Sequence, residues 1–166
     1  MDELLLLDWK RRVFALYAEI RAAGGEAAWR RWRDARDELF RDHPQSPLLP
    51  EARVVFNGLP YFPYDSELRV LAEVAPGDGE RREIDASGEQ TIVFRRFATA
   101  RFELAGAAQQ LSLKGADLGT EDGRLVLDFN FAYNPSCAYD PAWVCPLAQP
   151  GNTLAVPVRA GEMVPG

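Results

Sequence analysis

Both cysteines of the chain fall in one stretch, Asn134-Pro135-Ser136-Cys137-Ala138-Tyr139-Asp140-Pro141-Ala142-Trp143-Val144-Cys145-Pro146. A structural zinc site takes four ligands, usually thiolates and imidazoles. The chain has two cysteines and one histidine, His43. A complete Cys/His site is out of reach, and no metal is expected. A Cys137–Cys145 disulfide is open to the geometry, but such bonds are rare in reducing compartments. A cysteine nucleophile with His43 as its base has only the coincidence of residue types behind it. The expectation is two small packing residues in a backbone fixed by Pro135, Pro141 and Pro146.

The run that leads into this stretch, Arg124 to Asn134, reads as a strand. Side chains alternate across a strand. Leu125, Leu127, Phe129, Phe131 and Tyr133 would then share a core face. Asp128, Asn130 and Asn134 would line the other, together with Val126 and Ala132. One carboxylate and two amides in a row suit a ligand surface or a polar barrel interior. They equally suit a face turned to water, the commoner outcome in an antiparallel sheet. Arg95 and Arg96 are neighbours in another predicted strand, so at most one of them points inward. An inward arginine needs an anion or a carboxylate partner, and Asp128 is one by type. The candidate ligand-binding set is Asp128, Asn130, Asn134, Cys137, Tyr139, Cys145, Arg95 and Arg96. No catalytic residue stands out. GxSxG, HExxH and GxGxxG patterns are absent, and Gly115, Gly119 and Gly123 are interleaved with acids that would repel phosphate.

Several elements must position these residues. Leu6, Trp9, Val13, Leu16, Tyr17 and Ile20 recur at helical spacing, with Asp2 as an N-cap and Gly24-Gly25 as the stop. A second helix follows, with Ala28, Trp32, Ala35 and Leu39 on one face, and His43-Pro44 ends it. Its Arg30, Arg31, Arg33 and Arg36 alternate with Asp34, Asp37, Glu38 and Asp42. That pattern predicts a solvated, self-neutralised face. After Pro50 short β-type runs take over: 53–56, 68–75, 91–97, 99–104, 109–113, 124–133 and 153–158, with 91–97 and 99–104 as a hairpin. Turn signals such as Asp122-Gly123 separate them. The predicted fold is α+β: two N-terminal helices packed on a single antiparallel β-barrel or strongly curved β-sheet, split-barrel-like. One domain is expected over 1–166, helical over 1–43 and β over 51–160. Leu59, Tyr61, Phe62 and Tyr64 read as core rather than as a contact patch.

Bulk properties narrow the function classes. A chain of 166 residues with 47% apolar side chains can bury a core. Residues 1–43 carry nine basic and nine acidic side chains, so the whole net charge of −6 arises after His43. Such a balance argues against nucleic acid as a partner. The apolar run Leu4–Leu7 is flanked by acids, unlike a secretory signal, and no run approaches the ~20 residues of a membrane span. A soluble, cytoplasmic protein without membrane attachment is expected.

Leu127 to Pro141, continued by Cys145-Pro146-Leu147 and by Asn152 to Glu162, resembles the C-terminal signature of a bacterial and haloarchaeal family. That family is number sixteen-eighty-four of the domains of unknown function. Trp32 to Phe40, His43 to Leu48 and Gly58 to Asp65 resemble it as well. The resemblance implies a further polar, glycine-rich, arginine-bearing segment before Lys114, where Leu113 here runs straight on. It implies kinship and no activity. The residues themselves support a domain that binds a small polar or anionic ligand at the β-structure, with the cofactor unknown. A flavin-using or other small-molecule enzyme of split-barrel type and a protein–protein interaction module are the alternatives.

Overall fold

A computed structural model describes residues 3–77, 79, 81–85, 91–95, 98–113, 118–143, 145 and 152–165. They fall into two compact units. One comprises Met1–Ser66, Asn130–Trp143 and Ala160–Gly166, and the other Glu67–Phe129 and Val144–Arg159. The predicted cap Asp2, Lys114 of the expected family junction, and Arg96 lie outside the described residues.

The first unit is built on α1 (Glu3–Ala23) and α2 (Gly25–Asp42). Gly24 and Gly25 take φ of 64° and 65°, and the Gly24 N–H closes α1 onto the Ile20 carbonyl at 2.9 Å. A left-handed pair of residues is cheap only for glycine, which is why the chain turns here. Leu16, Tyr17 and Ile20 of α1 and Ala28, Trp29, Trp32, Leu39 and Phe40 of α2 are buried, as their spacing requires. His43 is buried too, its ring edge-on to Trp9 at 5.1 Å and its Nε2 3.2 Å from Asp8 Oδ2. Residues 53–56, read above as a strand, belong instead to α3 (Pro50–Val54) and its end. Pro50 at the first helical position outweighs the β-branched pair Val54-Val55.

The second unit is β. Among the described residues, β1 (Arg69–Pro76), β4 (Ala98–Leu104), β5 (Ala107–Leu113), β6 (Thr120–Glu121) and β7 (Arg124–Asp128) form an antiparallel sheet in the order β5-β4-β1-β7-β6. It is open, with β5 and β6 at its edges. β2 (Arg81–Asp85) and β3 (Thr91–Arg95) form a separate two-stranded ladder. The expected 91–97/99–104 hairpin is therefore corrected: β3 pairs with β2, and β4 pairs with β1 and β5. Two tight turns carry the register. Ala105-Gly106 joins β4 to β5 with φ of 51° and 73°, and Asp122-Gly123 joins β6 to β7 with φ of 50° and 75°. Both have the positive-φ pair that matches the twist of a two-residue hairpin.

Ala72, Ala100, Phe102, Leu104 and Leu125 form the core of this unit, flanked by Leu154, Val156 and Val158. Those last three come from 153–158, which forms no strand. Its place along β5 is held by side chains instead. Asn152 accepts the Ser112 N–H at 2.8 Å and donates back to the Ser112 carbonyl, while the Ala155 N–H donates to Gln109 Oε1 at 3.2 Å. An amide side chain offers the same donor and acceptor as a peptide, so it can stand in for a ladder partner.

Candidate functional site

The most demanding chemistry among the described residues lies on one stripe of α2. Trp29, Trp32, Arg36 and Phe40 follow one another at steps of three and four, and Arg33 stands four after Trp29, so they share a broad helix face. Two arginines thus stand among large rings. The Arg33 guanidinium lies 4.6 Å from the Trp29 ring centre and 4.7 Å from that of Tyr61. Arg36 lies about 5 Å from three rings, at 5.1 Å from Trp32, 5.1 Å from Phe40 and 4.8 Å from Tyr133. Both are cation–π distances.

Facing them is the segment Ala160-Gly161-Glu162. It is held on one side by Phe62 N–H to Gly161 carbonyl (2.9 Å) and Met163 N–H to Pro60 carbonyl (2.8 Å), and on the other by Glu162 N–H to Ala132 carbonyl (2.9 Å). Gly161 has φ of 71°, and a Cβ there would meet the Ala132 carbonyl oxygen at 2.4 Å. Only glycine fits, and the turn it permits aims Glu162 at α2. Arg36 Nη2 donates to Glu162 Oε2 at 2.6 Å, and the Asn134 N–H donates to the same oxygen at 3.3 Å. Arg36 Nε donates to Tyr61 Oη at 3.3 Å. The pair is deeply placed, with the Glu162 side chain 0% and the Arg36 side chain 12% exposed.

Burial governs the protonation here. Loss of water pushes the Glu162 carboxyl above its ordinary range, although Arg36 and the Asn134 amide pull it back. The Tyr61 hydroxyl is pushed up by burial, against the pull of Arg36, and stays protonated. Burial also raises Asp37, one turn along α2, against the pull of the Leu59 N–H that donates to Oδ1 at 2.9 Å. Perturbed groups gathered in one place are a mark of functional sites, and of structural ion-pair networks as well.

Part of this cluster is left without partners. Trp29 Nε1, Arg33 Nε, Tyr139 Oη and Glu162 Oε1 are buried and make no hydrogen bond. Native proteins pair such groups almost always. Elsewhere on α2 the arginines are solvated as the charge pattern predicts, but their partners are other acids: Arg30 pairs with Glu26 at 2.7 Å and Arg31 with Glu19 of α1 at 3.2 Å, all exposed. Arg33 and Arg36 depart from that prediction because they sit on the tryptophan stripe, a signal present in their spacing.

Residues 111–163 match the family described as "Protein of unknown function (DUF1684)". Asn134 and Glu162 lie inside the matched segment. Along almost its whole length the chain is also similar to a solution NMR structure of an uncharacterised protein from Haloarcula marismortui. The identity is 29% and the TM-score 0.57, over 98% of this chain and 97% of that one. No curated protein matches the chain.

The matched segment holds most of the residues singled out in the sequence. The strand over 124–134 is corrected: β7 ends at Asp128, and Phe129–Phe131 is a 3-10 turn. Asp128, buried, stands opposite Arg69 in the ladder of the second unit. Asn130, fully buried, belongs to the first unit, where its amide accepts the Asp65 N–H at 2.9 Å and donates to the Asp65 carbonyl at 2.7 Å. That exchange pulls the chain out of the sheet and ends the alternation. Asn134 is brought to the Arg36–Glu162 pair, and its Nδ2 donates to the Met163 carbonyl at 2.9 Å. Tyr139 packs edge-on against Phe40, ring centres 5.0 Å apart. Cys137 and Cys145 are half-buried thiols without a disulfide, one in each unit. Arg95 stands opposite Arg81 in the β2–β3 ladder. Among the described residues no group of His, Cys, Asp or Glu is arranged to hold a metal, and no helix is long and apolar enough to cross a membrane.

Proposed function

We propose that this protein is a binding domain for a small polar or anionic ligand, held in the first unit against the aromatic–arginine stripe of α2. One observation carries the reading: four buried polar atoms around that stripe lack partners. Leaving such a group unpaired costs about 1–3 kcal/mol each, so a ligand that supplies the partners gains from every one. Trp29 Nε1 and Arg33 Nε require an acceptor, and Arg33 adds a positive charge. Glu162 Oε1 requires a donor. A small hydroxy acid or amino acid has both, an anionic acceptor and a neighbouring donor. The rings of Trp29 and Tyr61 both lie within 5 Å of the Arg33 guanidinium, at 4.6 and 4.7 Å, and limit its hydration, which strengthens an anion contact.

Native mass spectrometry of protein purified from its own host tests the reading. The expected result is an added small mass that is released on denaturation and is lost in Arg33→Met. Protein that carries no added mass, or an added mass indifferent to Arg33→Met and Glu162→Gln, removes it.

A further inference from the structure

The fold uses one face of α1 and leaves the other to solvent. Leu16, Tyr17 and Ile20 are buried on the inner face. On the outer face Leu4, Leu7, Arg11, Phe14, Ala18 and Arg21 follow one another at alternating steps of three and four, so they form one stripe. Leu4 is 73% exposed, Leu7 42% and Phe14 71%. Scattered apolar side chains on a surface are ordinary, but a row of them along one helix face marks a contact. At the rise of an α-helix the row from Leu4 to Arg21 is about 26 Å long.

Charge identifies what the row meets. Lys10 stands three residues after Leu7 and four before Phe14, and Arg11 stands four after Leu7 and three before Phe14. Both cations therefore border both apolar side chains, and both are exposed. The other acids of α1 lie on the flank toward α2, each beside a cation. Asp8 is drawn to Arg12 at 2.8 Å and lies 3.2 Å from His43, and Glu19 is drawn to Arg31 at 3.2 Å. The groove between the helices carries Arg12, Arg31, Glu19 and Glu38, two of each sign. Only Glu3, in the first turn, sets a negative charge against Lys10, Arg11 and Arg21 on the outer face. This face is thus apolar and positive, on a chain whose net charge of −6 all arises after His43.

A second copy of the chain is a poor partner for it. Antiparallel pairing that sets Leu7 on Phe14 brings Lys10 and Arg11 against the same two residues of the copy, and parallel pairing sets Arg11 on Arg11. Like charges so placed disfavour either pairing. A flat anionic surface has no such conflict. Leu and Phe enter the headgroup boundary, while the long Lys and Arg stems let their charges reach lipid phosphates.

We infer that the outer face of α1 docks on an anionic membrane surface, with the helix lying in the interface. Among the described residues no helix is long and apolar enough to cross a membrane. The lack of a spanning segment, one ground for expecting no membrane attachment, does not bear on a helix that lies on the surface. No residue of the α2 stripe takes part, so the inference stands apart from the ligand reading.

Cosedimentation of the full-length protein with sucrose-loaded vesicles tests it. Vesicles of equal parts phosphatidylcholine and phosphatidylglycerol should carry the protein down, and phosphatidylcholine alone should not. Lys10→Gln together with Arg11→Gln should weaken binding about thirtyfold, at roughly fivefold for each cation near the surface. Phe14→Ser should weaken it about tenfold or more, the scale of withdrawing one large apolar side chain. All three positions are exposed, so the variants should melt like the parent, which shows that their fold is intact. No sedimentation with anionic vesicles, equal sedimentation with neutral ones, or full binding in either variant overturns the inference. A lipid-free dimer that dissociates in Phe14→Ser would assign the face to a second copy and overturn it. Retention on immobilised polyglutamate without vesicle binding would assign it to an acidic protein and overturn it as well.

Discussion

Arg36 and Glu162 form a close, deeply placed ion pair in the first unit, and the two residues depend on each other. Removing one partner of a buried ion pair strands the other charge, at a cost of about 3–5 kcal/mol. Arg36→Met should therefore lower the urea-unfolding free energy by roughly that amount at neutral pH. The sign of the pH dependence follows from the raised carboxyl. A carboxyl whose folded pKa lies above its unfolded one holds its proton more tightly when folded. Its contribution is thus complete below the unfolded pKa and declines as pH rises through the folded one. Arg36 is the chief group restraining that rise, so Arg36→Met widens the window. The deficit of the variant should shrink as the pH is lowered through the carboxyl range, because a protonated Glu162 no longer needs the cation. Urea titrations of both proteins across that range measure it, and a deficit independent of pH contradicts the assignment. These two residues were not legible as a site. Arg36 looked like one more charge in a balanced helix, and Glu162 stood 126 positions away.

The elements around the pair depend on a few backbone positions. Gly161 is the clearest. At φ of 71°, with the Ala132 carbonyl oxygen 2.4 Å from where a Cβ would lie, Gly161→Ala must displace either its own turn or the 130–134 segment. The expected loss is at least about 2 kcal/mol, the scale of strain at a special backbone position. It should appear as a lowered midpoint in thermal unfolding, and a variant as stable as the parent would show that the turn adjusts freely. The helices were legible because burial in a helix is periodic over many residues, and Leu16, Ile20, Trp32 and Leu39 all lie where the period puts them. The strand from Arg124 to Asn134 was only half legible. Its alternation continues through Phe129, Asn130 and Phe131, yet the Asn130 amide finds the Asp65 peptide, a tertiary contact 65 residues away. Alternation records which residues are apolar and is blind to such a partner. The same holds for 153–158, whose alternation is real in burial but whose hydrogen bonds run through Asn152 and Gln109 side chains.

On the scale of the whole molecule, composition and charge were informative about class and silent about place. An α+β chain with N-terminal helices and an antiparallel sheet was readable from the order of its patterns, whereas the division of the strands into a five-stranded sheet and a separate two-stranded ladder was not. The division into two units was not, because 130–143 and 160–166 join the helices only through long-range contacts. A ligand bound by the first unit must show itself in the stability of the protein. Anything that binds the folded state alone adds RT ln(1 + [L]/Kd), about 2.7 kcal/mol at a hundredfold excess over Kd. For a chain of this size each kcal/mol moves Tm by about 2–4 °C, so loss of the ligand should lower Tm by roughly 5–11 °C. The comparison is between protein as purified from its own host and the same protein unfolded, dialysed free of small molecules and refolded. Adding back the heat-released small-molecule fraction should restore the higher Tm. In Arg33→Met the two preparations should melt together, because that variant has no ligand to lose. Refolded wild-type protein that melts with the native preparation, and ignores the added fraction, would mean that the unpaired atoms around α2 await no ligand.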